Sequence, residues 1–114
     1  MPYIKDAYGS YLLEINSDHI RTMNGGHVYS LNGNVLTDSE SGPVYMIEGN
    51  YVKEAFGSYI LELKDNYIRH MFRSVQAEIN GNYIRTMDDS HKYEIIGSLT
   101  HIQLMAAIAL LFGK

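Results

Sequence analysis

The chain has 114 residues, nine basic and thirteen acidic side chains, and a formal net charge of −4. This length indicates a single domain, residues 1–114, and the scattered charge offers no large basic surface for nucleic acid. The absence of cysteine excludes disulfides and thiolate metal sites, and it favours a reducing compartment, the cytoplasm.

The N-terminal residues show no secretion signal, because no basic region precedes an apolar stretch there. The sustained apolar run from Ile102 to Phe112 is much shorter than the roughly 20 residues that cross a bilayer. A soluble protein is therefore predicted.

The sequence contains an internal repeat. With a shift of 48 residues, Tyr3 to Tyr11 matches Tyr51 to Tyr59, and the match continues without a gap to Gly49 against Gly97. A shift of 16 stacks aliphatic residues in two columns: Ile4, Ile20, Leu36, Val52, Ile68 and Ile84, and then Ile15, Leu31, Ile47, Leu63, Ile79 and Ile95. Such a period predicts an architecture built from one repeated supersecondary unit.

Turn residues recur at multiples of eight and divide each unit into two strands. Pairs that begin with glycine suit two-residue hairpin turns, whose first central residue has a positive φ. They are Gly9-Ser10, Gly25-Gly26, Gly33-Asn34, Gly49-Asn50, Gly57-Ser58, Gly81-Asn82 and Gly97-Ser98. Other candidate turns are Ser17-Asp18, Ser41-Gly42, Asp65-Asn66, Arg73-Ser74 and Asp89-Ser90. Twelve six-residue strands follow, from Tyr3 to Tyr8 through His91 to Ile96.

Two-residue turns also predict which residues lie opposite each other. The predicted pairs are Ile4 with Ile15, Lys5 with Glu14, Ile15 with Ile20, Glu14 with Arg21, Lys53 with Glu62, Arg69 with Glu78, and Arg85 with Glu94. Aliphatic residues then oppose aliphatic residues and acids oppose bases, the pairings that stabilise antiparallel sheets.

The segment from Leu99 to Phe112 breaks the pattern, contains strong helix formers, and is apolar nearly all the way round beyond Gln103. Ser98 or Thr100 can cap its start, and Gly113 its end. A helix without a polar face is buried, and a flat sheet would leave its aliphatic row in water and its edges unpaired.

We therefore predict a mainly β fold: a closed 12-stranded antiparallel up-and-down meander around a buried C-terminal α-helix. Six 16-residue hairpin repeats occupy residues 2–98 and the helix residues 99–112. The alternative is an open single-layer sheet with the helix across one face.

This arrangement resembles the barrels of the tubby C-terminal domain, the phospholipid scramblases and the LURP-one-related proteins, in which twelve strands surround a C-terminal helix. The hairpin columns are also similar to bacterial beta-flower repeat domains. The resemblance concerns architecture across the whole chain, which is much shorter than those domains. It transfers no site, because no residue here maps onto the tubby phosphoinositide pocket or the scramblase calcium segment.

A basic column and a tyrosine column provide the candidate ligand-binding residues. They are Lys5, Arg21, Lys53, Arg69 and Arg85, with Tyr51, Tyr67 and Tyr83 alongside, as is Tyr3. The cations can contact an anion or phospholipid headgroup, or form exposed pairs with glutamates that contribute about 0.2 to 1 kcal/mol each. The tyrosines can form a contact belt, or can simply be good strand formers.

Asp6, Asp38, Glu54 and His70 occupy the column two residues after the core aliphatics, beside Thr22 and Thr86. An inward position would suit a cation or polar pocket, whereas the energetic cost of burying charge favours a bulge or a place at the open rim. His19, His27, His91 and His101 show no metal-ligand spacing, and no catalytic motif is present. No catalytic residue and no metal site are predicted.

The sequence favours a non-enzymatic binding or scaffold module without a cofactor. Its expected partner is another protein, or a second copy of the chain held through the tyrosine-bearing wall. Membrane phospholipid or acyl-ligand binding is the alternative. An enzyme ranks third and would need the level of Asp6, Asp38, Glu54 and His70 to surround a cavity.

Overall fold

Twelve strands in sequence and one C-terminal helix make up the computed structural model, which describes residues 2–23, 26–88 and 90–113. The strands are β1 (Tyr3–Asp6), β2 (Tyr11–Asn16), β3 (His19–Thr22), β4 (Val28–Asn32), β5 (Val35–Asp38), β6 (Gly42–Glu48), β7 (Tyr51–Glu54), β8 (Tyr59–Lys64), β9 (Tyr67–His70), β10 (Val75–Asn80), β11 (Tyr83–Thr86) and β12 (Lys92–Ile96). The helix is α1 (His101–Phe112). Each strand pairs with its sequence neighbours, and β1 pairs with β12. The predicted closed meander is confirmed, and the open-sheet alternative is wrong.

Two kinds of connection alternate around the barrel. Two-residue turns at 17–18, 33–34, 49–50, 65–66 and 81–82 connect each even strand to the next odd one. Longer loops, residues 7–10, 23–27, 39–41, 55–58, 71–74 and 87–91, follow the odd strands. Because the meander alternates direction, all the tight turns lie at one end, the turn rim, and all the longer loops at the other, the loop rim.

The predicted two-residue turn at Gly9-Ser10 and its equivalents along the loop rim are therefore wrong. Strand β1 ends at Asp6, two residues before the predicted end. The Asp6 carboxylate is the reason, because its Oδ1 accepts hydrogen bonds from the backbone N–H groups of Tyr8 and Ser10 and draws the chain into a loop. Gly25 and Asp89, which belong to two other predicted turns, lie outside the described residues.

The strand register follows the same division. Across the tight turns it is as predicted, with Glu14 opposite Arg21 and Ile15 opposite Ile20. Across the loops it moves by two residues, so that Ile4 lies opposite Leu13, and a β-bulge after Ile4 adds a third, so that Lys5 lies opposite Tyr11. Five predicted pairs across the loops are therefore wrong: Ile4 with Ile15, Lys5 with Glu14, Lys53 with Glu62, Arg69 with Glu78 and Arg85 with Glu94. Tyrosines lie opposite three of these glutamates, in the pairs Tyr51 with Glu62, Tyr67 with Glu78 and Tyr83 with Glu94.

The shifted register pairs the first aliphatic column with a further set of inward side chains. The residues opposite the first aliphatic column are Leu13, Tyr29, Tyr45, Leu61, Ala77 and Tyr93. Tyr29, Tyr45 and Tyr93 are half-buried and pack against the core near the loop rim. Burial raises the pKa of all three phenols.

The aliphatic wall itself is as predicted. The first column, Ile4, Ile20, Leu36, Val52, Ile68 and Ile84, has no exposed side-chain surface. Residues Met105, Ala106, Ala107, Ile108 and Ala109 of α1 are buried and belong to the same hydrophobic cluster. Five consecutive helical residues project in directions about 100° apart, so the helix is covered on every side at this level.

Contacts at the two ends of α1 connect it to both rims. The helix starts after a capping box, in which the Thr100 hydroxyl accepts the Gln103 N–H. At the turn rim, the Gln103 side chain donates to the Ser17 carbonyl oxygen at 2.8 Å. At the other end, the Tyr45 hydroxyl donates to the Gly113 carbonyl oxygen at 3.4 Å. Each end of α1 thus contacts a different rim of the barrel.

Within the described residues, no helix combines the length and apolar character needed to cross a membrane.

Candidate functional site

The basic column lies on the outer wall and is paired with carboxylates. The pairs are Lys5 with Glu94 at 3.5 Å, Arg21 with Glu14 at 2.9 Å, Arg69 with Glu62 at 2.7 Å and Arg85 with Glu78 at 3.5 Å. The Lys53 ammonium lies 5.9 Å from the centroid of the Tyr59 ring. This is the belt of alternating charge that the sequence offered as the alternative to an anion site, although Lys5, Arg69 and Arg85 have their partner on the other neighbouring strand.

The tyrosines of the wall are spread over its convex surface. Tyr51, Tyr67 and Tyr83 begin β7, β9 and β11, with 38%, 39% and 42% of each residue exposed. Tyr51 packs edge-on against Tyr59, with ring centroids 5.6 Å apart, and a hydrogen bond to the Glu62 carboxylate raises its pKa. Because an intervening strand separates each from the next, these rings do not form one continuous patch.

The polar column ends the odd strands at the loop rim. Its side chains cap the loops: besides the Asp6 contacts, Asp38 Oδ1 accepts from the Glu40 N–H at 2.8 Å, and Thr86 Oγ1 accepts from the His91 N–H at 3.0 Å. His70 is 6% exposed, and its Nδ1 accepts the Phe72 N–H at 3.2 Å. Burial lowers the pKa of His70, followed by the charge of Arg73. The column is thus at the rim and serves local structure, the alternative that the sequence left open.

Exposed aromatic side chains occupy the tips of three loops. Tyr8 is 92% exposed, Phe56 90% and Phe72 69%. Tyr8 and Phe56 are equivalent under the 48-residue shift, and their loops are six strands apart, so they lie on opposite sides of the loop rim. Sequence reasoning missed them because it assigned both residues to strands. The polar residue two positions before each of these aromatic residues, which caps the loop, was the sequence signal that could have indicated a loop.

The loop rim is also acidic. Its described residues include five carboxylates, Asp6, Asp38, Glu40, Glu54 and Asp88, and two permanent cations, Arg73 and Lys92. The outer wall, in contrast, alternates in sign. The net negative charge of the chain is therefore concentrated at the end that carries the exposed aromatic residues.

A groove of about 580 Å³ opens at this rim between the loops of β9 to β12. Leu111 and Phe112 of α1 and the ring of Tyr93 supply its apolar surface, and Thr86 and His91 belong to its polar side. Its size falls within the range of about 300 to 1,000 Å³ typical of ligand pockets. The end of the helix and the loop rim thus contribute to one surface.

Asp88 organises the polar side of the groove. Its Oδ1 accepts hydrogen bonds from the Ser90 hydroxyl at 2.6 Å and from the Thr86 hydroxyl at 2.8 Å. Together with the Ser90 N–H, these bonds lower the pKa of Asp88 to about 2. The Ser90 oxygen lies 3.0 Å from His91 Nδ1. Since the single hydroxyl proton of Ser90 is directed at the carboxylate, the arrangement holds the loop and does not activate Ser90 as a nucleophile.

Another group at the loop rim brings together residues that the sequence analysis treated separately. His27, Asp38 and Glu40 have ligand atoms within 4.8 Å of one another. Sequence reasoning set His27 aside because no second histidine follows at a metal-ligand spacing. Counting outward from the tight turn at Gly33-Asn34 would have found the group, since that register carried beyond Tyr29 and Asp38 sets His27 opposite Glu40.

The fold and the site define a class: a closed twelve-stranded meander barrel that shares its core with a C-terminal helix and presents an acidic, aromatic loop rim. Comparison of the chain with protein-family models, with curated proteins and with solved structures found no match.

Proposed function

We propose that this protein is a binding module that contacts a protein partner through its loop rim. The observation that carries the proposal is the exposure of Tyr8 and Phe56, at 92% and 90%. Burying such a side chain is worth about 1.5 to 3 kcal/mol, and the fold gains almost none of it. Aromatic residues that become buried on binding are the typical anchors of protein interfaces.

The loops themselves do not require aromatic residues. The equivalent tip positions in two other loops hold Glu40 and Asp88. Asp38 caps its loop as Asp6 does, by accepting the backbone N–H two residues on, and Thr86 caps the other loop by accepting the His91 backbone N–H. Aromatic tips therefore need a reason other than loop geometry, and contact with a partner supplies one.

The charge of the rim indicates the chemistry of the partner. Five carboxylates against two cations favour a segment with lysine or arginine side chains, and the aromatic tips and the groove floor favour aliphatic side chains beside them. Two copies of this rim would repel each other, so a second copy of the chain is the poorer occupant.

The test uses three fluorescein-labelled synthetic peptides of equal length, alternating Lys with Leu, Glu with Leu, or Lys with Ser. Fluorescence anisotropy is measured against the wild type, the double variant Tyr8→Ser/Phe56→Ser, and the control Tyr67→Ser, which removes an exposed aromatic residue from the wall. We expect the Lys/Leu peptide to bind best, with affinity reduced at least about tenfold in the double variant and unchanged in the control.

Equal binding of the three peptides, or equal loss in the wall control, would overturn the proposal. A relationship to the tubby and scramblase barrels would instead make lipid the ligand. Sedimentation with phosphatidylcholine vesicles tests that alternative. If the wild type sediments with vesicles, the double variant does not, and no peptide binds, the rim is a lipid contact and the protein-partner proposal is wrong.

A further inference from the structure

His27, Asp38 and Glu40 come together through the pairing of β4 with β5. Tyr29 lies opposite Asp38 in this ladder, and His27 precedes Tyr29 by two residues on the same strand path. The His27 Nε2 lies 2.6 Å from Asp38 Oδ2, and the ligand atoms of all three side chains are within 4.8 Å of one another. An imidazole nitrogen and two carboxylate oxygens thus converge at one point of the loop rim.

The surroundings hold two of these side chains in place. The backbone N–H of His27 donates to Thr22 Oγ1 at 2.9 Å, and the imidazole ring of His27 packs against the Tyr29 ring with centroids 5.0 Å apart. Asp38 Oδ1 accepts the Glu40 N–H, which leaves Oδ2 directed at His27. Second contacts of this kind orient the ligands of metal sites before the metal binds.

Access and burial also suit a small ion. The side chain of Asp38 is 12% exposed and that of His27 35%, while Glu40 is exposed. Two donors are therefore partly withdrawn from water, and the third can rotate toward them. A transition ion binds at about 2.0 to 2.2 Å from nitrogen and oxygen, so Glu40 closes the site by a side-chain movement.

We propose that His27, Asp38 and Glu40 form a binding site for a divalent first-row transition-metal ion such as Zn²⁺. The imidazole favours such ions over Mg²⁺ and Ca²⁺, which prefer oxygen ligands alone. The two carboxylates balance the charge of the ion. Three protein ligands leave a coordination position open to water or to a side chain of another molecule.

The chain contains a matched control for this site. Thr86, His91 and Tyr93 repeat Thr22, His27 and Tyr29 with a shift of 64 residues, and the Thr86 hydroxyl accepts the His91 N–H in the same way. Across the closure of the barrel, Asp6 lies opposite Tyr93 as Asp38 lies opposite Tyr29. Tyr8 then takes the place of Glu40, so the position equivalent to the second carboxylate carries no carboxylate beside this second histidine.

The experiment titrates the full-length, tag-free chain with ZnCl₂ in a calorimeter and, separately, with MgCl₂. The proteins are the wild type, His27→Gln, Glu40→Gln and the control His91→Gln. We expect one Zn²⁺ ion per chain in the wild type and in the control, and binding at least about tenfold weaker in the other two, as is typical of losing a ligand. Excess Zn²⁺ should also raise the urea midpoint of the wild type but not of His27→Gln.

Exposed Glu40 can be changed without affecting folding, so the test does not depend on His27→Gln being stable. Three results would overturn the proposal: no heat of Zn²⁺ binding by the wild type, equal loss of affinity in His91→Gln, or Mg²⁺ binding as tight as Zn²⁺. The peptide and vesicle assays substitute Tyr8 and Phe56, whereas the calorimetry substitutes His27 and Glu40, so the two proposals can fail independently.

Discussion

Replacing Ile108 by alanine tests whether the helix is part of the barrel core. Ile108 is 1% exposed and lies in the hydrophobic cluster with the strand aliphatics. Truncating a fully buried isoleucine removes its transfer free energy and leaves a cavity, which together cost about 2 to 5 kcal/mol. Because a domain of this size is stable by about 5 to 15 kcal/mol, the loss is a large fraction of the total.

The control is Ile102→Ala on the first turn of the same helix, where the side chain is 37% exposed. The chemical change is identical, but little apolar surface is buried, so the expected loss is below about 1 kcal/mol. Urea unfolding followed by far-ultraviolet circular dichroism measures both. With a slope of about 1 to 3 kcal/mol per molar urea, Ile108→Ala should lower the midpoint by about 1 to 3 M.

Two results would refute the reasoning. If Ile108→Ala stayed within about 0.5 kcal/mol of the wild type, the helix would not contribute to the core as its burial indicates. If both substitutions cost the same, the helix would be equally exposed along its length, which contradicts the burial of Met105 to Ala109.

Other substitutions test the remaining elements of the fold. A chain of residues 1–98 should lose cooperative unfolding in circular dichroism, since the barrel loses its filling; a folded, monomeric fragment in size-exclusion chromatography would contradict this. His70 binds a proton near pH 6.5 more readily in the unfolded chain than in the folded one, so the free energy of unfolding should fall as the pH is lowered from 7 to 5. In the variant His70→Gln, the urea midpoint should depend less on pH over this range. Asp88, with its pKa of about 2, stabilises the fold above about pH 4 and loses this effect as the pH falls toward 2. Between these pH values the wild type takes up a proton at Asp88 when it unfolds, so Asp88→Asn should take up about one proton fewer than the wild type. Gly49 has φ +61, so Gly49→Ala should cost about 1 to 2 kcal/mol, whereas Gly57→Ala, without a left-handed φ, should cost less; equal losses in thermal unfolding would rule out this explanation.

Much of the fold could be predicted because its signals are local and periodic. Ile4 and its equivalents recur every 16 residues, and glycine, asparagine or aspartate marks each tight turn, so the meander and its apolar wall follow from short-range pattern. The predicted register across the loops was wrong because the Asp6 carboxylate binds the loop backbone and so competes with the two-residue turn. The pattern of apolar residues contains no information about that competition.

The candidate sites show the same limit. The wall residues such as Arg69 stood out in the sequence because they form a regular column, yet the structure pairs Arg69 with Glu62. Phe56 belongs to a strand in the prediction, whereas the structure places it in the loop after β7, where it is 90% exposed. Sequence regularity thus identified the repeated, structural positions more readily than the exposed ones.

The amino-acid sequence by itself determined the strand order, the inward aliphatic row and the capped C-terminal helix, because each depends on residues close together in the chain. Only the tertiary structure decided what meets at the loop rim. The Tyr45 hydroxyl of β6 reaches the Gly113 carbonyl oxygen after α1, and Asp6 lies opposite Tyr93 because the barrel closes between β1 and β12. These contacts join distant residues, so their geometry is set by bulges and closure together and not by any single stretch of sequence.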